Sequence, residues 1–345
     1  MVARIILCVA LLFPVISPVL CHASPAGDPL LWGFALDGYP IRAETIERVE
    51  RETGLYAQIV VFFLQWPAPG AAGALPRESL DAVRSRGAIP VVTWEPMYYK
   101  EGREIVIPQA EILGGRYNSY LDSFAREAKA WGKPFMIRFA HEMNISRYHW
   151  GTEEQEYGPG SPRVYRDMFR HVVSRFRKMG ANNVLWVFCP NAESVPNASY
   201  DPTASWNQAR RYYPGDEYVD VLGMDGYNWG TTRTKERHGW ESRWKSFREV
   251  FQPIYEELKT LSTRKPLFIF ETASADQGGE KNDWIREALI TIGQWDVQGC
   301  AWFQVEKEVD WRIQSGVDLA RVAEIRSRTS WSLNWIQRLV DKKEK

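Results

Sequence analysis

The chain has 345 residues, with 43 basic and 43 acidic side chains, 16 tryptophans and 15 tyrosines. The balanced charge creates no net field towards nucleic acid or an acidic membrane surface, so neither is an expected partner. The length suits one large α/β barrel as well as two smaller domains. Aromatic residues belong largely in a core, but their faces also stack on sugar rings, and composition alone does not separate these two uses.

The N-terminus has the pattern of a secretory signal peptide over residues 1–23. Arg4 supplies the positive start, an apolar stretch continues to Leu20, and the junction from Cys21 to Ala23 offers the small residues that a signal peptidase reads. Two prolines interrupt the apolar stretch and argue against a membrane-spanning helix. Lipid attachment at Cys21 is the weaker alternative, because Leu20 is too large for the usual residue before a lipidated cysteine. We therefore expect a secreted protein, extracellular or periplasmic, without a membrane anchor after cleavage.

Export changes the cysteine count, because Cys8 and Cys21 leave with the signal peptide. Cys189 and Cys300 remain, within apolar strand-like runs that are not neighbours in the predicted strand order. A disulfide needs Cα atoms within about 7 Å, so we expect two buried free thiols. The five histidines lack metal-ligand spacing and the sequence has no CxxC, phosphate-loop or GxSxG motif, so we expect neither a metal nor a cofactor.

From residue 30 onward, apolar strand-like runs alternate with helical patterns. This alternation predicts a parallel sheet closed into a single (β/α)8 barrel, with residues 24–345 as one domain. The predicted strands are residues 30–37, 57–66, 88–94, 134–141, 183–190, 219–227, 266–271 and 298–305. The predicted helices are residues 41–53, 77–85, 117–131, 162–179, 206–212, 240–261, 283–292 and 317–325, with a further amphipathic helix in 330–345.

The fourth and seventh predicted strands both lead into a glutamate. The fourth is apolar apart from Arg138 and runs into His141 and Glu142, and the seventh ends at Glu271. The carboxyl ends of parallel barrel strands collect the catalytic groups, and these two strands face each other across the barrel. Glycoside hydrolysis with a covalent intermediate needs two carboxyl groups about 5 to 5.5 Å apart. The pattern predicts Glu142 and Glu271 as general acid and nucleophile; the alternative is that one of them forms a salt bridge at the rim.

The predicted strand ends combine carboxylates with aromatic residues and contain almost no cations. This composition suits a neutral, hydroxyl-rich ligand, and it disfavours a phosphorylated one because no phosphate-binding loop ends the last two strands. We expect a polysaccharide substrate and a monomer. The residues are Asp37, Trp66, Trp94, Glu95, His141, Glu142, Asn191, Asp225, Tyr227, Glu271, Trp302 and Gln304.

Residues 138–144 read Arg-Phe-Ala-His-Glu-Met-Asn, and shorter stretches along the chain accompany them. With these stretches, nearly all of the mature sequence resembles glycoside hydrolase family 26. The His before the acid is specific, because most relatives in the larger clan carry Asn there. The resemblance implies a secreted retaining endo-β-glycanase with a (β/α)8 fold. The accompanying stretches are residues 165–166, 183–191, 212–216, 219–220, 223–227, 265–266, 278–279, 302–303 and 310–312.

The resemblance also implies roles for individual residues. Glu142 matches the acid/base and Glu271 the nucleophile. His141 matches a histidine that orients the reacting groups and the sugar. Tyr227 matches a tyrosine whose hydroxyl supports the nucleophile, and Trp302 an aromatic residue beneath the sugar at the cleavage point.

Arg138 precedes Ala140 by two residues, so both are expected to point into the barrel. An inward arginine can hold the nucleophile in its charged form. It can equally seal the floor of the barrel, and the sequence leaves both uses open.

Two departures from the family pattern bear on the substrate. Many members have Trp three residues after the Asn of the motif, where this chain has Arg147 followed by Tyr148 and Trp150. The third strand ends in Trp94 and Glu95, where many mannan-cleaving members have Trp-His. We expect Trp94, Trp150 and Arg147 to contact sugar; alternatively, Arg147 points to solvent and Tyr148 or Trp150 provides the stacking.

The departures leave several functions open. We rank β-1,4-mannan first as substrate, a β-1,3-1,4-glucan or xylan next, and a decorated exopolysaccharide after them. A carbohydrate-binding protein without turnover is the alternative from another class, and it is disfavoured because Glu142 and Glu271 are both retained. An extracellular structural protein would not need so many aromatic strand ends.

Overall fold

The computed structural model describes residues 30–262, 264–313 and 331–343. The barrel strands are β1 (Leu31–Leu36), β2 (Ile59–Gln65), β3 (Ile89–Glu95), β4 (Phe135–Phe139), β5 (Val184–Phe188), β6 (Val221–Asn228), β7 (Leu267–Ser274) and β8 (Gly299–Phe303). They are parallel and close in the spatial order β1-β8-β7-β6-β5-β4-β3-β2. This confirms the predicted (β/α)8 barrel. The predicted signal peptide at 1–23 and the predicted helix at 317–325 lie outside the described residues.

The strands form because their side chains are buried on both faces, one inside the barrel and one under the helices. Successive residues alternate between these faces, and residues paired across a parallel register share a face. In the register of β3 with β4, Thr93 pairs with Arg138 and Trp94 pairs with Phe139. Arg138 and Thr93 therefore point into the barrel, whereas Trp94 and Phe139 point outward.

The helices that cover the barrel carry apolar faces towards the strands. Within the described ranges, none combines the length and apolar character needed to cross a membrane. The helices are α1 (Ala43–Thr53), α2 (Arg77–Ser85), α3 (Asn118–Trp131), α4 (Ser161–Met179), α5 (Phe247–Leu261), α6 (Lys281–Gln294) and α7 (Trp331–Lys343). Shorter helical segments are Gln109–Leu113, Ser146–Tyr148, Glu154–Glu156, Pro202–Trp206, Ala209–Tyr212 and Lys235–His238.

Two helix predictions were wrong in extent. The predicted helix at 240–261 begins at Phe247, because Ser246 and Glu249 form a capping box in which each side chain accepts the other's backbone N–H. The predicted helix at 206–212 is replaced by two 3₁₀ segments separated at Asn207. The Asn207 amide donates to the carbonyls of Asn144 and Pro196, so tertiary contacts rather than helical hydrogen bonds fix this segment.

A hairpin that the sequence analysis did not predict follows β3. Met97–Lys100 pairs antiparallel with Arg103–Val106, joined by Glu101 and Gly102 with φ of 52° and 74°. Positive φ at both central residues is the geometry of a type I′ hairpin turn, which favours glycine. The hairpin projects from the carboxyl end of β3 and so forms part of the rim above the predicted site.

The opposite end of the barrel is closed by α7. The ring of Trp335 packs 5.3 Å from Phe268 of β7, and Lys343 binds Asp220 with an N–O distance of 2.8 Å. The carboxyl ends of the strands are therefore the open face of the barrel.

Cys189 and Cys300 are buried free thiols, as predicted.

Candidate active site

The backbone bends sharply directly after β4 and brings Glu142 over the barrel. Ala140 and Glu142 have φ of 47° and 51°, which residues other than glycine rarely adopt. Such positions cost on the order of 1–3 kcal/mol each and persist only where the surroundings fix them. Here the Glu142 amide donates to the carbonyl of Cys189 at 2.8 Å, and the Ala140 amide donates to that of Trp94 at 3.1 Å. Neighbouring strands thus hold the strained turn.

The Glu142 carboxyl is buried and touches one side-chain donor from β5's loop. The Asn191 amide donates to Glu142 Oε1 at 2.6 Å. Asn144 positions Asn191, because its Oδ1 accepts the Asn191 backbone N–H at 2.8 Å and its Nδ2 donates to the Asn191 carbonyl at 2.9 Å. Burial, together with the charge of Glu271, raises the pKa of Glu142 to about 7, although the Asn191 hydrogen bond acts in the opposite direction.

Glu271 lies within β7 and receives two donors, one on each carboxylate oxygen. Tyr227 of β6 donates its hydroxyl to Oε2 at 2.6 Å. Arg138 of β4 forms a short ion pair with Oε1. Charge-assisted hydrogen bonds of this kind stabilise the ionised carboxylate and fix its orientation. The two glutamates therefore have different surroundings: Glu142 is desolvated beside an amide, and Glu271 is paired with a cation.

Arg138 is fully buried and links three strands. It pairs with Asp225 of β6 as well as Glu271, and it donates to Thr93 Oγ1 from Nε at 3.0 Å and from Nη2 at 2.7 Å. Burial opposes its charge, but Asp225 and Glu271 outweigh this and raise the pKa of Arg138 well above its usual value. Of the two uses open in the sequence, the structure places Arg138 against the predicted nucleophile.

His141 lies within an aromatic wall beside Glu142. Its ring is 4.7 Å from Tyr148 and 6.2 Å from Phe63, and its carbonyl accepts the Trp150 indole N–H at 2.6 Å. Burial, with Arg138 nearby, lowers the pKa of His141 well below its usual value, so the ring is neutral. Its Nδ1 is buried without a hydrogen-bond partner among the residues described.

Arg147 at the rim and the buried Trp150 both contact the ring of Tyr148. The rings of Tyr148 and Trp150 stack at 5.0 Å, and the Arg147 guanidinium lies 4.9 Å over Tyr148. Arg147 also pairs with Glu104 of the hairpin at 2.6 Å, and its side chain is 54% exposed. Arg147 is thus neither free in solvent nor inside the barrel; it joins the hairpin to the loop after β4.

Two tryptophans predicted to contact sugar lie elsewhere. Trp94 is buried among the helices, with its ring 4.6 Å from Phe124 of α3 and its indole N–H donating to Tyr120. Trp302 packs edge-on against Trp284 of α6 at 6.0 Å. Strand alternation turns both rings outward, so the structure does not bring them to the glutamate pair.

The residues that follow these two tryptophans face inward instead. Glu95 is buried and accepts a hydrogen bond from Gln65 Nε2 at 2.5 Å. Burial raises the pKa of Glu95 to about 7, with Glu271 acting in the same direction and Gln65 and Arg138 opposing it. Phe303 packs edge-on against Tyr227 at 5.7 Å.

The sequence predicted Glu95 and Asn191 as strand ends, with Glu95 bearing on the substrate and Asn191 without a role. The part that Asn144 plays in holding Asn191 was not predicted. The alternation of side chains along β3 would have predicted the position of Glu95. Thr93 pairs with the inward Arg138, so Glu95, two residues further along the strand, also points into the barrel.

Residues 104–250 match the sequence model of glycosyl hydrolase family 26. This part of the chain belongs to glycosyl hydrolase family 26. The matched stretch contains Glu142 and Tyr227 and ends before Glu271.

Curated relatives of the chain are larger proteins. Endoglucanase H of Acetivibrio thermocellus is 38% identical over 241 residues, which cover 69% of this chain and 24% of that protein. A mannan endo-1,4-beta-mannosidase of Bifidobacterium adolescentis is 31% identical over 173 residues, which cover 46% of this chain and 16% of that protein. The chain thus spans a quarter or less of the length of these two relatives.

Solved structures share the family 26 fold at low identity. The catalytic domain of a Bacillus sp. JAMB-750 endo-beta-1,4-mannanase superposes with a TM-score of 0.57 at 19% identity, covering 90% of this chain and 85% of that one. A Bacillus subtilis mannanase superposes with a TM-score of 0.55 at 17% identity, covering 81% of each chain. At these identities the likeness establishes the barrel alone.

Proposed function

We propose that this family 26 chain is a retaining endo-β-glycanase. The observation that carries the proposal is the contrast between the two glutamates at the open face of the barrel. Glu142 is desolvated and its pKa is raised to about 7, which suits a proton donor. Glu271 is held by Arg138 and Tyr227, which suits an ionised nucleophile.

In the proposed mechanism, a Glu271 carboxylate oxygen attacks the anomeric carbon. The bond to the leaving sugar breaks, and Glu142 gives its proton to the departing oxygen. Glu142, now ionised, then takes a proton from a water molecule. That water attacks the anomeric carbon, the bond to Glu271 breaks, and the sugar leaves with its original configuration. Tyr227 and Arg138 hold Glu271 in line for both steps.

Among polysaccharide substrates, β-1,4-mannan is the first candidate, because the Bifidobacterium adolescentis relative is a mannan endo-1,4-beta-mannosidase. A β-glucan is the second candidate, and a specific observation favours it: Endoglucanase H shows the higher identity, over 69% of this chain. Glu95 and Arg147 also stand where many mannan-cleaving members carry His and Trp. Relative kcat/KM on mannan, lichenan and xylan decides between them.

Paired variants test the mechanism. We expect Glu271→Ala to abolish hydrolysis, and Glu142→Ala to lose about 10²–10⁴-fold on polysaccharide but much less on aryl glycosides, whose leaving groups need no protonation. Azide should yield an α-glycosyl azide with the Glu271 variant and a β-glycosyl azide with the Glu142 variant. Glu52→Ala, an exposed position on α1, is the matched control. NMR showing inversion at the anomeric carbon with the unaltered chain would contradict the proposal.

We also propose export through residues 1–23, since a polysaccharide substrate lies outside the cell membrane. N-terminal sequencing of secreted protein should begin at or near Ser24. Retention of the full-length chain in the cytoplasm contradicts export without bearing on the chemistry.

A further inference from the structure

A row of aromatic rings leads from the glutamate pair along the loop after β6. It begins at Tyr227, whose hydroxyl binds Glu271. The ring of Trp229 lies 6.4 Å from Tyr227, and the ring of Trp240 lies 5.6 Å from Trp229. Tyr227 and Trp229 are partly buried, whereas Trp240 is 46% exposed. The row thus connects the reacting centre with solvent through direct ring contacts.

Hydrogen bonds fix the loop that carries this row. At its base, Asn228 Oδ1 accepts the amides of Gly230 at 3.2 Å and Lys245 at 2.9 Å. Nearer its tip, the Ser242 amide donates to the Arg233 carbonyl, and the Arg233 amide donates to Ser242 Oγ, both at 3.1 Å. Hydrogen bonds therefore join the two sides of the segment bearing Trp240 at two levels. A ligand that binds there finds the ring already ordered, which lowers the entropic cost of binding.

Gly230 lets this loop rest on the loop after β7. Its φ is +52°, and a Cβ there would lie 1.9 Å from the carbonyl oxygen of Gln277. The Thr231 amide donates to that same oxygen at 3.0 Å. Any larger side chain at position 230 would push the loop away from β7, so the placement of the aromatic row depends on this contact.

Trp229 is wedged in place by two neighbours. The ring of Trp311 meets it edge-on at 4.9 Å, and the Arg233 guanidinium lies 4.5 Å over its face. A cation over an indole face is a favourable arrangement. Trp229 therefore acts as the support, and Trp240 presents the accessible indole surface.

We propose that Trp240, supported by Trp229, forms a distal sugar-binding subsite for a unit of the polysaccharide beyond the bond cleaved between Glu142 and Glu271. Single exposed aromatic residues are common on protein surfaces. Trp240 differs because its ring continues a row that starts at the reacting centre and because its loop is fixed. A sugar ring has an apolar C–H face and a hydroxyl rim, so a flat indole covers the apolar face while the hydroxyls stay in water. This subsite rests on the proposed glycanase function.

Two variants separate the flat face of Trp240 from its apolar bulk. Trp240→Leu keeps an apolar side chain without a flat face, and Trp240→Tyr keeps a ring. We expect the ratio of kcat/KM on polysaccharide to kcat/KM on a short aryl glycoside to fall about tenfold in Trp240→Leu and to stay within about twofold in Trp240→Tyr. Tyr56→Leu, an exposed aromatic position before β2 on the opposite rim, should leave the ratio unchanged. An unchanged ratio in Trp240→Leu overturns the subsite.

A binding measurement keeps this test separate from turnover. In native gels containing mannan or lichenan, Glu271→Ala should be retarded, and the double variant with Trp240→Leu should run markedly faster. If the unaltered chain hydrolyses none of mannan, lichenan and xylan, the glycanase proposal fails, while loss of retardation in the double variant still supports the subsite. Equal retardation of both proteins, or none of either, overturns the subsite.

Discussion

Asp225 and Glu271 lie directly opposite each other on β6 and β7, and both bind the guanidinium of Arg138. A single buried cation thus binds two buried carboxyl groups, one of which is the proposed nucleophile. Such a group is held in place by its partners and cannot be removed without leaving an uncompensated charge in the barrel. Arg138 therefore links the stability of the barrel to the charge state of the site.

The first prediction follows from this link. Arg138→Met should lower the free energy of unfolding by about 3–5 kcal/mol, since Asp225 and Glu271 lose their buried partner. Urea denaturation measures the change. Arg147→Met, which breaks the half-exposed pair with Glu104, is the control and should cost less than about 1 kcal/mol. Equal losses of unfolding free energy in the two variants would show that burial does not determine how much the ion pairs of Arg138 stabilise the fold.

The barrel itself could be predicted from the sequence because all eight strands are short apolar runs between helical patterns. The two catalytic candidates could be predicted for the same reason. Glu142 and Glu271 directly follow such apolar runs, and the carboxyl ends of parallel strands meet at one end of the barrel. The family resemblance implied that Tyr227 supports the nucleophile, whereas the sequence left Arg138 open between that role and sealing the barrel floor. The structure gives both a hydrogen bond to Glu271.

The remainder depended on features that a strand pattern does not specify. A position one residue along a strand lies on the opposite face, so Trp94 and Trp302 were expected at the site while Glu95 and Phe303 occupy the inward positions. The positive φ values at Ala140 and Glu142 follow from contacts with neighbouring strands, which no local pattern in the sequence reports. The hairpin that holds Glu104 against Arg147 was likewise unpredicted.

The second prediction concerns the pH dependence of hydrolysis. Glu142 must be protonated to act as an acid, so kcat/KM on polysaccharide should fall as the pH rises through about 7. The Asn191 hydrogen bond favours the ionised form and so lowers this pKa. Asn191→Ala should therefore move the alkaline limb to higher pH. With an aryl substrate that needs no protonation, this limb should disappear. A limb that moves to lower pH in Asn191→Ala would contradict the assigned donor.

The third prediction concerns Glu95 and stability. Burial raises the pKa of Glu95 to about 7 in the folded chain, from an ordinary value of 4.5. The protonated carboxyl therefore makes its full contribution to stability below pH 4.5, and this contribution is lost as the pH rises through 7. Between pH 5 and pH 8, the unaltered chain should lose on the order of 3 kcal/mol more unfolding free energy than Glu95→Gln, which cannot ionise. Glu78→Gln, an exposed position on α2, should follow the unaltered chain. Parallel pH profiles for the chain and Glu95→Gln would show that Glu95 is already ionised at pH 5.

The last prediction concerns Arg147 and the choice between mannan and β-glucan as substrate. Its guanidinium covers the ring of Tyr148 and is tied to Glu104, so the face of the Tyr148–Trp150 stack is shielded at the rim. Arg147→Trp replaces a long cation with a flat stacking surface at a position where many mannan-cleaving members carry Trp. If Arg147 tunes the sugar site, the ratio of kcat/KM on mannan to that on lichenan should rise about tenfold, equivalent to about 1.4 kcal/mol in the transition state.

The control for this change is Glu104→Gln, which releases the ion pair but keeps the Arg147 side chain. The ratio of kcat/KM on mannan to that on lichenan should change far less in Glu104→Gln than in Arg147→Trp, because no stacking surface is gained. If both variants shift the ratio equally, the hairpin contact and not the missing indole sets the preference. If neither variant shifts the ratio, Arg147 is a rim residue that joins the hairpin to the loop. The polysaccharide is then selected deeper in the barrel, where Glu95 binds Gln65 and feels the charge of Glu271.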